Sequence, residues 1–290
     1  MEMFLQLILN GAVVGSTYAV VALGFTLAFT VLRVINFAHP EIFMIGMFGG
    51  LAVASYTDSL WLALLGGALV AGIAGIILER LIIRPLYNRD VLMTLIATLG
   101  VGIVLQNGMA VVVGPDAVSF PALLPRGGVE VGLLSLSYKQ LFNFAVCISI
   151  LGVISGYVRL TLWGKATQAV AERPGVAAVF GINVARISQV TIVAASALGG
   201  IAAVSVGTLY GTASAYVGVL YGLKSFVCML VAGNRYFEGV IVVAFGLGIL
   251  EALVTGYLSS GLRDAVAFSV LIGVLLLRPQ GLFGSYTAKV

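Results

Sequence analysis

Charged side chains are so sparse along this chain that the stretches between them mark out its elements. Uncharged, mostly apolar runs cover residues 3–32, 42–57, 59–78, 91–115, 140–158 and 187–223. A last stretch, 239–277, is broken only by Glu251 and by Arg263-Asp264. A helix crosses the hydrocarbon core of a bilayer with about 20 apolar residues at ~1.5 Å each. Runs such as Val101–Val104 and Ile148–Ile154 lack the two-residue alternation of a barrel strand. The pattern therefore predicts an all-α, polytopic transmembrane bundle of about eight spans, forming one membrane domain over residues 1–290. The first run has no basic leader and is roughly twice the length of a secretory apolar core, so it is expected to stay as a helix.

Composition agrees. Apolar residues make up 61% of the 290 and charged residues 9%, against about 45–50% and 25% in soluble domains. A soluble globule, a disordered chain and a disulfide scaffold are all excluded, the last by the presence of two cysteines only. The net charge of +4 is too small and scattered to point to nucleic acid; in a membrane chain it reports orientation. Arg80, Arg84 and Arg89 place the loop 79–90 in the cytoplasm. Arg159, Lys165, Arg173 and Arg186 do the same for 159–186. The Gly- and Pro-rich segment 114–138 then lies outside, as do residues 208–221 and the N-terminus. Glycine is abundant, with 37 residues. The pairs Gly11/Gly15, Gly46/Gly50 and Gly218/Gly222 have the spacing that lets helix backbones approach in lipid.

Two places break the pattern. Arg33-Val-Ile-Asn36-Phe37-Ala-His39-Pro40-Glu41 interposes a polar, proline-containing stretch between apolar runs, and Pro40 is expected to hold His39 out of helical geometry. About 200 residues later, Gly233-Asn234-Arg235-Tyr236-Phe237-Glu238-Gly239 repeats the arrangement in weaker form. Paired interruptions of this kind point to a solute path, because half-helix ends expose unpaired backbone groups. Loops at the membrane surface would look the same. Asn36, Phe37, His39, Asn234 and Tyr236 are the pathway candidates. Glu251 is an acid within a long apolar stretch, expected to be functional or paired, with Arg263 as the nearest partner. No phosphate-binding loop, nucleophile elbow or metal cluster is present, and His39 with Glu41 has no evident relay partner. Neither catalytic residues nor cofactors are expected, and the chain does not read as an enzyme.

Residues 164–184 form two short helices around Arg173-Pro174-Gly175, with an apolar face too short to span a bilayer. Here a resemblance enters. Ala22-Leu-Gly-Phe-Thr26, Arg33-Val-Ile-Asn-Phe-Ala-His39, Ala171-Glu-Arg-Pro174, Phe180-Gly-Ile-Asn-Val184, Tyr221-Gly-Leu-Lys224 and Arg278-Pro-Gln-Gly-Leu-Phe283 together resemble the inner-membrane permeases of branched-chain amino acid ABC importers, of the LivH type, over nearly the whole chain. The resemblance implies a multi-pass permease subunit in the bacterial inner membrane, paired with a second, related permease. It also implies two ABC ATPase subunits beneath and an extracytoplasmic solute-binding protein above. The 160–186 loop becomes the ATPase-coupling element, carried by Glu172, Arg173, Pro174, Gly181 and Asn183. The chain departs from the family at Pro40, where glycine is usual, and at Gly233–Glu238, where a Gly-Gly-x-Gly-Ser type turn is usual. Relatives of this family also carry urea and short amides. The competing reading is a stand-alone secondary transporter or channel for a small polar solute such as these, using the broken helices without an ATPase.

Overall fold

The computed structural model describes residues 2–33, 35–87, 89–132, 134–233 and 237–283. Its helices are α1 (Glu2–Leu32), α2 (His39–Thr57), α3 (Leu60–Leu78), α4 (Arg84–Leu86), α5 (Val91–Val113), α6 (Tyr138–Leu160), α7 (Leu162–Glu172), α8 (Pro174–Val179), α9 (Val184–Tyr210), α10 (Val217–Ala232), α11 (Phe237–Tyr257) and α12 (Arg263–Leu277). A π-turn (Glu79–Ile83) joins α3 to α4, and a 3-10 turn (Ser260–Leu262) leads into α12. Among the described residues, seven helical stretches are long and apolar enough to cross a membrane. The 19-residue α2 packs among them, in keeping with the expected eight or so, and the 16-residue α10 is a shorter inner helix. The charge-free run 187–223 is thus two helices. Its turn at 211–216 contains no charge to reveal it, and Gly211 (φ +70°) ends α9 in the left-handed conformation that glycine permits.

Four short strands depart from the all-α expectation: β1 (Val118–Ser119), β2 (Gly128–Val131), β3 (Leu134–Ser137) and β4 (Thr212–Ala213). β2 and β3 form an antiparallel hairpin, and β1 pairs with β4. The β3 segment Leu134–Ser137 alternates in polarity, and outside a helix its backbone groups need partners. Ser137 then caps α6 in a reciprocal box with Gln140.

The central element is α1, enclosed by α6, α9, α10 and α11. Its contact with α11 depends on small residues. A Cβ on Gly11 would stand 2.5 Å from Ile249 Cα, and one on Gly15 2.8 Å from Phe245 Cα. Gly46 of α2 meets Gly200 of α9 in the same way, with a Cβ 2.6 Å from Gly200 Cα. The predicted pairs Gly11/Gly15 and Gly46/Gly50 are therefore packing surfaces. A buried polar network links three helices: Asn143 Nδ2 donates to Thr17 Oγ1 (3.1 Å), and Ser205 Oγ donates to Asn143 Oδ1 (2.8 Å).

The bundle has two distinct ends. At the hairpin end, Gln6 of α1 bonds Ser135 and Asn10 accepts from Gln140. At the basic end, Arg33 meets α7 and Arg159 pairs with Glu238. The N-terminal helix starts beside segment 128–137 and finishes beside α7.

Candidate functional site

The first break is a re-entrant turn. α1 ends at Leu32, and Arg33 (φ +55°) turns the chain in the left-handed region, unusual for a side chain with a Cβ. Its guanidinium donates to the carbonyls of Ala171 (3.2 Å) and Glu172 (2.6 Å), so it caps the C-terminus of α7. The chain then turns back into the bundle. His39 packs against Gly24, eight residues before the end of α1, so α2 begins about 12 Å inside the helix layer. The expectation that Pro40 excludes His39 from helical geometry is incorrect: α2 starts at His39. Proline in a first turn removes only an N–H that has no intrahelical acceptor.

The turn is held by local bonds. Asn36 Oδ1 accepts from Ala38 N (3.1 Å), and Phe37 N donates to Thr98 Oγ1 of α5 (3.3 Å). The Asn36 Nδ2 group is buried without a partner among the described residues. His39 is also buried, its ring 5.2 Å edge-on from Phe25 and, among the described residues, without a side-chain hydrogen bond. The third glycine pair has a different job from the other two. Gly218 and Gly222 of α10 lie against Pro40 and Glu41, leaving room for the start of α2.

Beside this turn is a cavity of about 130 Å³ between α2, α5 and α10. Phe25, Phe37, Leu99, Ile103 and Phe226 line it, and Glu41 and Gln106 are its polar residues among those described. Of the three pathway candidates among the described residues, Phe37 alone lines it. Asn36 and His39 serve as scaffold for the turn, whereas Asn234 and Tyr236 lie outside the described residues. The flanks of the second break, Gly233 and Glu238, sit at the basic end. There Arg159 pairs with Glu238, and the backbones of Leu282 and Phe283 bond to Val231 and Ala232.

Glu251 is paired, and more fully than expected. Its carboxylate accepts from Tyr18 Oη (2.9 Å) and Arg263 Nε (2.7 Å), and Lys224 Nζ lies 3.0 Å from both oxygens. Lys224 also reaches Asp264 at 2.9 Å, and Arg263 donates to Tyr18 Oη at 3.0 Å. Two cations and two anions thus cancel, tying α1, α10, α11 and α12 together. The cluster forms the base of a 370 Å³ cavity that is also lined by Tyr210, Tyr221 and Ser214 near the hairpin end. Lys224 was missed as a partner because it ends an apolar run and looks like a loop marker. The signal that exposes it is stripe spacing on α10. Residues 217, 220, 221 and 224 face this cavity, and 219, 222, 223 and 226 face the Glu41 cavity.

At the basic end a wider cleft of about 600 Å³ lies between α1, α6, α7 and α11, with Arg33, Arg159, Gln168, Glu172 and Glu238 on its walls. Below it hang α7 and α8. Glu172 is exposed at the end of α7, Arg173 is the joint between the two helices, and Pro174 opens α8. Gly181 adopts φ +83°, and Asn183 caps α9 by accepting from Arg186 N (3.0 Å). All five coupling candidates therefore belong to one folded unit. Ala177 is turned inward, while Val179 and Phe180 are 86% and 81% exposed.

Comparison with known proteins adds the following. The family model described as branched-chain amino acid transport system / permease component matches residues 7–277. The permease protein LivH of the high-affinity branched-chain amino acid transport system of Escherichia coli (strain K12) is 33% identical, covering 97% of this chain and 96% of its own length. The permease protein BraD of the corresponding Pseudomonas aeruginosa system is 32% identical with the same coverage. A metal-chelate type ABC transporter in an inward-facing conformation shares the fold at TM-score 0.50 and 18% identity, over 94% of this chain and 85% of that one.

Proposed function

The chain belongs to the family of permease components of branched-chain amino acid transport systems, and on that premise we propose that it forms part of the membrane path of an ATP-driven importer of branched-chain or other apolar amino acids. It is a multi-pass permease subunit and not an enzyme; ATP hydrolysis belongs to a separate subunit. In this reading the partners are a second, related permease, two ABC ATPases at the basic end and a solute-binding protein at the hairpin end. The basic end then faces the cytoplasm of a bacterial inner membrane.

One observation carries the coupling assignment. Val179 and Phe180 stand in solvent at the tip of a two-helix unit whose other side is fastened to the bundle by Arg33 and by the start of α9. An exposed apolar tip on a rigid base is suited to a groove on a partner, and a force applied there tilts helices as rigid bodies. Glu172, Arg173, Pro174, Gly181 and Asn183 shape the unit; Val179 and Phe180 make the contact. The exposed apolar flank of α5, including Ile96, Leu99, Ile103 and Val104, supports a second permease or lipid beside it.

The test is purification of the tagged chain from its native membrane in mild detergent. Co-purification of an ATPase and a second permease is the expected result. A lone chain that drives gradient-dependent solute uptake in vesicles would establish the stand-alone transporter instead.

A further inference from the structure

The charges at the two cavities beside α10 are treated differently. Glu251 is answered by Lys224, Arg263 and Tyr18, so its cavity needs no ligand to balance it. Glu41 is not answered. It is 4% exposed, and its Oε2 has no hydrogen-bond partner among the described residues. A glutamate in a first turn commonly reaches back to the N–H at the start of its helix. Here that N–H, of Ala38, is already bonded to Asn36 Oδ1. Its Oε2 lies against Gly218 of α10, and the side chain borders the 130 Å³ cavity, with aromatic and aliphatic side chains opposite.

A buried carboxylate without a partner is strongly disfavoured and calls for a cation or a proton. Among the described residues, no Lys or Arg lines the cavity. Its volume is close to the roughly 150 Å³ of Leu-, Ile- and Phe-lined cavities that hold benzene, and it opens at Leu99 and Ile103 on the exposed flank of α5, so a short branched hydrocarbon fits and can enter. We propose that this cavity is a substrate station in which Glu41 receives the ammonium group of an apolar amino acid. The side chain lies against Phe25, Phe37 and Phe226, and the Gln106 amide is available to the α-carboxylate. The proposal rests on the import reading above and deepens it by assigning a site on the path. It also gives a reason for the re-entrant turn and for Gly218 and Gly222: they bring the first turn of α2 to mid-bundle, where the substrate passes.

The test uses the full complex in proteoliposomes, with both permeases, ATPases and binding protein, and radiolabelled L-leucine. Glu41→Gln keeps the shape and removes the charge. Leucine uptake is expected to fall by about tenfold or more, as loss of a charge-assisted contact implies, with assembly unchanged. Uptake within about twofold of wild type, less than the smallest change such a contact would give, overturns the proposal. Should wild type itself show no ATP-driven leucine uptake, the import reading fails; normal uptake by both proteins removes the Glu41 station alone.

A second measurement is the thermal midpoint of the solubilised complex without binding protein. L-leucine and 3-methylbutylamine should raise it for wild type, 4-methylpentanoate should not, and Glu41→Gln should respond to none. Equal protection by the amine-free acid, or of the variant, contradicts the proposal. If the Gln variant fails to assemble, Gly102→Val fills the cavity beside Glu41 without altering charge. It is expected to abolish leucine uptake, and unchanged uptake counts against the site.

Discussion

Replacing Glu251 with leucine is expected to destabilise the folded permease by about 3 kcal/mol. Removing one member of a buried ion pair costs 3–5 kcal/mol, because the remaining charge stays buried. The lower end applies here: Lys224 keeps Asp264 at 2.9 Å, and Arg263 is partly exposed. Tyr18 also loses its acceptor at 2.9 Å. The readout is thermal unfolding of the detergent-solubilised protein. Lys224→Met combined with Glu251→Leu should recover more than half of the loss, since it withdraws the orphaned ammonium. Asp264→Asn alone should cost less than about 1 kcal/mol, as that carboxylate is solvated. If the double variant were as unstable as Glu251→Leu alone, the cluster would not be the electrostatic tie between α1, α10, α11 and α12 described above.

The second large effect lies at the opposite end. Val179→Asp and Phe180→Asp are expected to reduce ATP-driven uptake at least tenfold, the loss from burying an unpaired charge in an apolar docking groove. Folding should be nearly unaffected, within about 0.5 kcal/mol, because neither side chain is packed. The measurement pairs uptake with the amount of ATPase retained by the purified permease. Gly181→Ala provides a contrast: its φ of +83° makes a Cβ strained by about 1–2 kcal/mol. It should therefore loosen the two-helix unit and lower uptake less sharply than the charges do. Full uptake by both aspartate variants would show that the tip of α8 is not where the ATPase engages.

How far the sequence alone reached can be read at particular residues. The long helices were legible because lipid demands uninterrupted apolar runs, so α1, α3, α5 and α6 are bounded by the charges that interrupt those runs. Where a turn needs no charge, as at 211–216 between α9 and α10, that signal disappears. The break at 33–41 was visible, and its depth was not. The packing of His39 on Gly24 and of Pro40 on Gly222 shows that the chain re-enters the bundle. Glu251 was conspicuous, yet two of its partners, Lys224 and Tyr18, come from distant parts of the chain, and spacing along one strand of sequence cannot pair them. Glu41 shows the same limit. Its significance lies in the lack of a partner, which is a property of three-dimensional surroundings. The coupling loop was legible as a unit, and the i, i+3, i+4 spacing of Val176, Val179 and Phe180 marks its apolar face; the fold adds that Val179 and Phe180 are its most exposed members.

The central claim is that this chain forms part of the path of an ATP-driven amino acid importer, and uptake of radiolabelled leucine into proteoliposomes tests it most directly. Accumulation should require ATP together with the second permease, the ATPases and the binding protein, and the chain alone should be inactive under any ion gradient. Gradient-driven leucine uptake or conductance by the chain alone would contradict the account.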